Sequence, residues 1–192
     1  MEHKFNSPPT TLNLTLLRDF CRSKGEAVTY RRGMLMEREG EPARWFAFVE
    51  SGCFKYTTRG ISDGHKHTTW FSFEGEFVSN YPQSLYGQPA QVTIEAMVNS
   101  RVRRVSGEQL MELFFQNMET MELRSLIGEH LLRQMNARYL DFHRTTPRER
   151  YELLLSRCPG IMDYLPLSAI ASFLNITPKT ISMIRRKVTF GK

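Results

Sequence analysis

The spacing of apolar residues changes once along this chain, near Ser106, and the change limits the folds that the chain can adopt. Before Ser106, short runs rich in aromatic and β-branched residues alternate with turn signals such as Ser51-Gly52 and Glu74-Gly75. After it, glycine becomes sparse and apolar residues recur at the spacing of a helix face. The pattern predicts an α+β fold, in which an antiparallel β-roll or barrel over residues 26–106 precedes a helical half.

The strand-like runs are short and regularly spaced, which is typical of an antiparallel roll. A short helix near Leu12 to Arg22, stopped by Gly25, comes before them. The predicted strands cover residues 45–49, 54–57, 68–73, 92–98 and 101–105.

A long helix is expected after the roll, because apolar residues recur there every four positions from Leu123 to Tyr139. Packing against the roll alone is one explanation of this stripe. Its length of about six turns favours another, in which the stripe forms the seam of a homodimer. The predicted seam residues are Leu123, Ile127, Leu131 and Met135.

A third unit is expected to begin at Thr146. Thr146 can cap free amides, Pro147 fits the first turn of a helix, and Glu149 completes a capping box. We therefore divide the chain into an N-terminal helix with a sensor roll (1–106), a dimerisation helix (107–145) and a small all-helical domain (146–192).

Within that last domain, residues 170–185 have the spacing of a helix-turn-helix. Ala171 is small enough for the point where the two helices cross, and Asn175 tolerates the left-handed backbone of the tight turn. Thr177 is a natural N-cap and Pro178 a natural first residue of the second helix. The side chains expected to bury the pair are Ile170, Leu174, Ile176, Ile181 and Ile184.

The second helix of this motif is then expected to expose a polar and basic face that can enter the DNA major groove. Lys179 and Arg186 are the expected base or phosphate contacts, and Thr177 and Thr180 can donate to phosphates. The full predicted DNA-binding set is Thr177, Pro178, Lys179, Thr180, Ser182, Met183, Arg185, Arg186 and Lys187.

Charge is segregated along the chain. Residues 144–192 hold nine Lys and Arg against three Asp and Glu, whereas residues 1–143 hold 17 of each sign. This asymmetry indicates a polyanion-binding module at one end, although a basic segment can also be a solvated face.

Cysteine content and hydropathy give the expected compartment. Cys21, Cys53 and Cys158 are odd in number and far apart, which predicts buried thiols in a reducing cytoplasm rather than a disulfide framework. No stretch approaches the roughly 18 apolar residues of a membrane span. The sequence therefore predicts a cytoplasmic protein without a membrane partner.

The order of these parts resembles the Crp/Fnr family, the cyclic-AMP receptor protein and its relatives, from about Gly33 to Lys187. The resemblance includes Glu39-Gly40-Glu41, Phe48-Val49-Glu50-Ser51-Gly52 and Glu74-Gly75-Glu76-Phe77 in the roll, then the long helix and the helix-turn-helix. It implies a non-enzymatic transcription regulator that dimerises through the long helix and binds double-stranded promoter DNA. RNA polymerase is a further partner implied by that role.

The segment from Phe77 to Ala96 corresponds to the nucleotide-binding cassette of the family, and it departs from the family pattern. Members that bind cyclic nucleotide use a Gly-Glu pair for the ribose and an Arg-Ser pair for the cyclic phosphate. Here Ser79-Asn80 and Ala90-Gln91 fall at those places, and neither Ala90 nor Gln91 offers a positive charge. We therefore expect no response to cyclic AMP. A small-molecule effector, uncharged or apolar, is the alternative, with a pocket at Phe77, Ser79, Asn80, Tyr81, Tyr86, Ala90 and Gln91.

The sequence gives little support for an iron-sulfur cluster or a metal site. Family members with an iron-sulfur cluster resemble one another in clustered N-terminal cysteines, whereas this chain has only Cys21 and Cys53 there. His65-Lys66-His67 is faintly similar to the cupin metal motif of β-barrel enzymes, but Glu74 follows too late for that spacing. The sequence therefore predicts no cofactor and no metal, and a metal-dependent barrel enzyme is the weaker alternative.

Overall fold

Two antiparallel sheets form the N-terminal half of the protein. The computed structural model describes residues 12–62, 64–158 and 160–190, with backbone alone for 187–190. The strands are β1 (Glu26–Tyr30), β2 (Leu35–Glu37), β3 (Trp45–Ser51), β4 (Cys53–Arg59), β5 (Lys66–Phe73), β6 (Phe77–Ser79), β7 (Thr93–Ala96) and β8 (Ser100–Ser106).

Helices flank the sheets and make up the C-terminal half. They are α1 (Thr15–Lys24), α2 (Gln83–Tyr86), α3 (Gly107–Phe114), α4 (Met118–Arg144), α5 (Pro147–Arg157), α6 (Ile161–Tyr164), α7 (Leu167–Phe173) and α8 (Pro178–Phe190). None of the helices among the described residues is long and apolar enough to cross a membrane.

The sheets have the strand orders β1-β8-β3-β6 and β2-β7-β4-β5, and all their pairings are antiparallel. Alternating residues point inward from both sheets and form a shared apolar core. Its buried members are Tyr30, Met36, Ala47, Val49, Phe54, Tyr56, Val78, Ile94, Ala96 and Val102. The α+β class and the β-roll predicted over residues 26–106 are therefore confirmed.

Three strands were not predicted from the sequence pattern. β2 and β6 have only three residues each, which is too short for an alternation to appear. β1 is an edge strand, and among its residues only Tyr30 is buried. The alternation of apolar and polar residues that normally marks a half-buried strand is therefore weak in all three.

The helical stretch after the roll is interrupted. α3 ends at Phe114, and Asn117 then starts α4 with a capping box, in which its side chain accepts a hydrogen bond from the Thr120 amide at 3.0 Å. The region predicted as one dimerisation helix (107–145) therefore contains two helices. α4 itself has 27 residues, about seven and a half turns, and is longer than predicted.

The C-terminal helices pack against the roll as well as against each other. The capping box at Thr146 and Glu149 starts α5 as predicted. Phe71 and Phe73 of β5 belong to the same buried cluster as Ile170 and Phe173 of α7. The backbone amide of Thr68 also donates to Ser172 Oγ at 2.8 Å. α7 is thus held on the sheet by both apolar and polar contacts.

Candidate nucleic-acid interface and roll pocket

The turn between α7 and α8 has the geometry that the sequence predicts. Asn175 has a φ of 54°, in the left-handed region. The amide of Asn175 donates to the Ser172 carbonyl, and the amide of Ile176 donates to the Ala171 carbonyl, each at 3.0 Å. These bonds satisfy carbonyl groups at the end of α7 and reverse the chain within four residues.

Packing and capping of this helix pair also follow the prediction. The Thr180 amide donates to Thr177 Oγ1 at 3.1 Å, so Thr177 caps the start of α8. Ala171, the small residue predicted for the point where the two helices cross, is buried. The predicted packing residues Ile170, Leu174, Ile181 and Ile184 are buried, and Ile176 is half-buried.

The outer side of α8 is polar, basic and exposed. Thr180 is half-buried, and Lys187 lies outside the residues whose side chains the structure describes. No Asp or Glu occurs between Pro178 and Phe190. The predicted residues that are exposed are Thr177, Pro178, Lys179, Ser182, Met183, Arg185 and Arg186. The helix therefore offers cationic and hydrogen-bonding groups with no nearby acid on the same element.

The predicted dimer seam requires a correction at its N-terminal end. Leu123 and Ile127 are each only 8% exposed, because they pack into the cluster formed by α1, α3 and the roll. Leu131 is half-buried against the same cluster. A repeat of four residues advances 400°, so the predicted stripe turns about 40° around the helix at each step. It begins on the roll and reaches the outer surface only at Met135.

A different set of residues lines the outer face of α4. Its members alternate spacings of three and four, which is the heptad spacing of a coiled-coil seam. Leu132, Met135 and Tyr139 are 68%, 67% and 62% exposed. The full exposed set is Met118, Met121, Ser125, Gly128, Leu132, Met135 and Tyr139. Most of this face is exposed, although Gly128, Leu132, Met135 and Tyr139 also line a cleft between α4 and the roll.

A cleft of about 1530 Å³ lies between the roll, α1, α4 and α7. Five of the predicted pocket residues line it: Phe77, Ser79, Asn80, Tyr81 and Gln91. The cleft also has walls that the sequence pattern did not identify, including Leu131 and His130 on α4. Burial lowers the pKa of His130, which favours its neutral form.

Asn80 makes hydrogen bonds within the chain on every polar atom of its amide group. Its Nδ2 donates to Glu37 Oε2 at 2.7 Å and to the Val92 carbonyl at 3.0 Å, while its Oδ1 accepts from the Val92 amide. Glu37 is buried, and its Oε1 accepts from the amides of Arg44 and Trp45. No sequence pattern indicated Glu37, whose carboxyl group lies beside Asn80 of the cassette.

Two predicted pocket residues do not line the cleft. Ala90 is buried and its backbone pairs with Gly40 and Glu41. Tyr86 is exposed, and its hydroxyl accepts a hydrogen bond from Arg124.

Cysteines and histidines do not form a metal centre among the described residues, since no three His, Cys, Asp or Glu side chains there lie close enough together. Cys21, Cys53 and Cys158 are buried, as predicted, and are not joined in a disulfide. Burial raises the pKa of Cys21 and of Cys53 to about 12, so both remain thiols at neutral pH.

Arg138 of α4 is a residue that no sequence pattern indicated. Its guanidinium group donates to the carbonyls of Thr69 on β5 and Phe173 on α7. It also stacks over the Phe173 ring, with its Cζ 3.8 Å from the ring centroid. One side chain of the long helix therefore joins the roll to the helix-turn-helix.

Known proteins share the architecture of this chain, a β-roll followed by a long helix and a helix-turn-helix. Residues 27–117 match the family model of the cyclic nucleotide-binding domain. The structure of FixK2 from Bradyrhizobium japonicum has a TM-score of 0.72 at 21% identity, over 87% of this chain and 86% of FixK2. No curated protein sequence matches the chain.

Two further solved structures are similar. CLP of Xanthomonas campestris, described as a c-di-GMP responsive global regulator, has a TM-score of 0.67 at 16% identity, over 93% of each chain. A transcriptional regulator of the Crp/Fnr family from Eubacterium rectale has a TM-score of 0.63 at 12% identity, over 92% of this chain and 84% of that one. Residues 27–117 are therefore similar to the cyclic nucleotide-binding domain, and the chain has the fold of the Crp/Fnr family of regulators.

Proposed function

We propose that this protein is a transcription regulator that binds promoter DNA as a homodimer through α8 and does not respond to cyclic AMP. The exposed basic face of α8, held by the left-handed turn at Asn175, carries the proposal. Arg186 and Lys179 are long cations on this face and can reach guanine edges or phosphates in the major groove.

Homodimerisation is supported by the outer face of α4. Its exposed apolar residues have heptad spacing, and Ser125 and Gly128 at its centre are small enough for a second helix to approach closely. A Cβ added at Gly128 would meet nothing within 4 Å in its own chain. A two-fold dimer would place two copies of α8 about 34 Å apart, one turn of DNA, and so favour near-palindromic sites.

The lack of a response to cyclic AMP is supported by the polar groups of the cassette. Asn80 donates both of its amide hydrogens within the chain, to Glu37 and to the Val92 carbonyl, so it has no free donor for a cyclic phosphate. No arginine stands at Ala90 or Gln91 to compensate.

The test is a fluorescence-anisotropy titration of the full chain with a labelled random-sequence duplex, at several salt concentrations and with or without cyclic AMP. We expect the affinity to fall steeply with salt and to be unchanged by the nucleotide. Lys179→Ala and Arg186→Ala should each weaken binding severalfold, because each removes a cation that faces the duplex.

The matched control is Arg38→Ala, which removes an exposed arginine of the roll that pairs with Glu41. Equal losses for Arg38→Ala and Arg186→Ala would contradict α8 as the DNA-binding face. A large gain in affinity with cyclic AMP would contradict the proposed loss of the nucleotide response.

A second candidate is a regulator that takes an uncharged or apolar effector in the cleft of the roll. The apolar walls formed by Phe77, Tyr81 and Leu131 favour it. Nile red, an uncharged dye that fluoresces in apolar surroundings, is a suitable probe. We expect saturable binding by the wild type and loss of binding in Leu131→Arg, which places a charge in the cleft. Equal binding by both proteins would exclude this cleft as an apolar site.

A further inference from the structure

A second, smaller cavity lies where α4 meets the C-terminal helices. Its volume is about 280 Å³, near the lower limit of small-molecule pockets, which run from roughly 300 to 1,000 Å³. It is separate from the proposed DNA-binding face, since no residue of α8 lines it. Its walls come from β5, α4, α5 and α7.

The cavity is lined by an excess of positive charge. Three arginines, Arg138, Arg150 and Arg157, face one acid, Asp141. Asp141 pairs with Arg157, with 3.6 Å between Oδ2 and Nη1. Among the described residues, the other two arginines have no carboxylate partner. The cavity therefore has two guanidinium groups whose charge is not balanced locally.

Each of these two guanidinium groups has N–H donors that make no hydrogen bond among the described residues. Arg150 uses Nη1 on the Thr145 carbonyl at 2.7 Å, while its Nε is buried and has no hydrogen-bond partner among the described residues. Arg138 donates through Nη1 and Nη2 to two backbone carbonyls. Since a guanidinium carries five N–H donors, each group can still bind an anionic oxygen. Burial lowers the pKa of Arg138 to about 10, a cost that a bound anion would offset.

The remaining walls are apolar and partly aromatic. Phe142 lies next to both guanidinium groups, whose Cζ atoms are 5.7 Å and 5.4 Å from its ring centroid. Trp70, Leu153, Leu154, Phe173 and Leu174 complete the apolar lining. An anion with a small apolar body would therefore match both the arginines and the rest of the lining.

We infer that this cavity binds a small aromatic carboxylate, with its carboxylate on Arg138 and Arg150 and its ring against Phe142 and the neighbouring leucines. The ligand would contact α4, α5 and α7 at once. It would thereby hold the helix-turn-helix against the long helix.

The test follows the fluorescence of Trp70, which lines the cavity. The chain has two tryptophans, so Trp45→Phe leaves Trp70 as the sole indole fluorophore. This protein is titrated with sodium benzoate at constant ionic strength, and in parallel with benzamide and with sodium sulfate. We expect saturable benzoate binding with a dissociation constant below about 10 mM, and at least about tenfold weaker binding of the two comparison compounds.

The variants are made in the same Trp45→Phe protein. Arg150→Gln should weaken benzoate binding at least about tenfold. Arg148→Gln, two residues away on α5 and paired with Glu152, should leave it unchanged. If Arg150→Gln does not fold, as judged by circular dichroism, Leu153→Phe replaces it, since the larger side chain fills the cavity and should also abolish binding.

Four results would each overturn the inference. They are no saturable change up to about 10 mM benzoate, equal affinity for benzamide, equal affinity for sulfate, and equal losses in Arg150→Gln and Arg148→Gln. None of these readouts involves DNA, so failure here is distinguishable from failure of the proposed regulator function.

Discussion

Among the described residues, Asn175 is the one non-glycine residue with a left-handed backbone. A side chain with a β-carbon ordinarily pays about 1–2 kcal/mol for that conformation, and asparagine is among the best tolerated exceptions. Its position between Leu174 and Ile176 fixes the angle at which α8 leaves α7. The direction of the proposed DNA-binding face therefore depends on a single backbone conformation.

Substitution at Asn175 tests this dependence. Asn175→Ala should lower the free energy of unfolding by about 1 kcal/mol, because alanine resists a positive φ. Asn175→Gly should leave it nearly unchanged, because glycine adopts this φ without a steric penalty. Urea unfolding followed by circular dichroism measures both values. Equal stabilities of the alanine and glycine variants would show that the turn does not require the left-handed conformation.

At the scale of elements, α4 presents two apolar faces with different surroundings. One face packs Leu123 and Ile127 on the roll, while Leu132 and Met135 lie on the exposed outer face. A charge on the first face should unfold the domain, whereas a charge on the second should leave folding intact and oppose association between copies. Mutations on the first face therefore test the folding equilibrium, and mutations on the second test the proposed dimerisation equilibrium.

Leu132→Glu should convert the proposed homodimer into a monomer of unchanged thermal stability. The glutamate faces solvent in the separated chain but would be buried without a partner in the seam. Size-exclusion chromatography with light scattering gives the mass. Ile127→Glu is the contrasting variant and should lower the melting temperature, because Ile127 is buried in its own chain. A dimeric Leu132→Glu protein would place the seam elsewhere.

The elements that could be predicted from the sequence are those with strong local signals. The apolar period and Asn175 identified the helix-turn-helix, and Thr146 with Glu149 identified the start of α5. The four-residue stripe on α4 was misassigned because such a repeat turns around the helix. Glu37 and Arg138 were missed because their partners lie far away in the sequence, at Asn80 and Phe173. Only the folded chain brings these pairs together.

At the scale of the whole molecule, the helix-turn-helix is docked on the roll. Phe71 and Phe173 are in contact, with ring centroids 5.1 Å apart, and Arg138 bridges Thr69 and Phe173. The Thr68 amide completes this contact through Ser172. These contacts connect the sheet that lines the large cleft to the first helix of the proposed DNA-binding unit.

Arg138→Met should loosen this docking, because it keeps an apolar stem but removes both charge-assisted hydrogen bonds. Such bonds contribute about 1.5–3 kcal/mol each. We expect the Thr68 amide to exchange with solvent at least about tenfold faster. The Val102 amide, within β8, is the internal control and should not change. Equal protection of Thr68 in the variant and the wild type would show that Arg138 does not hold the two units together.

The separation of faces on α4 also has an evolutionary consequence. Exposed side chains contribute little to the folding of their own chain and can change at little cost in stability, so the outer face can diverge while the roll is preserved. Duplicated genes encoding proteins of this fold would then give rise to regulators that pair with themselves and not with each other. If the proposed dimer forms, the outer face of α4 determines which chains pair, and the opposite face determines whether each chain folds.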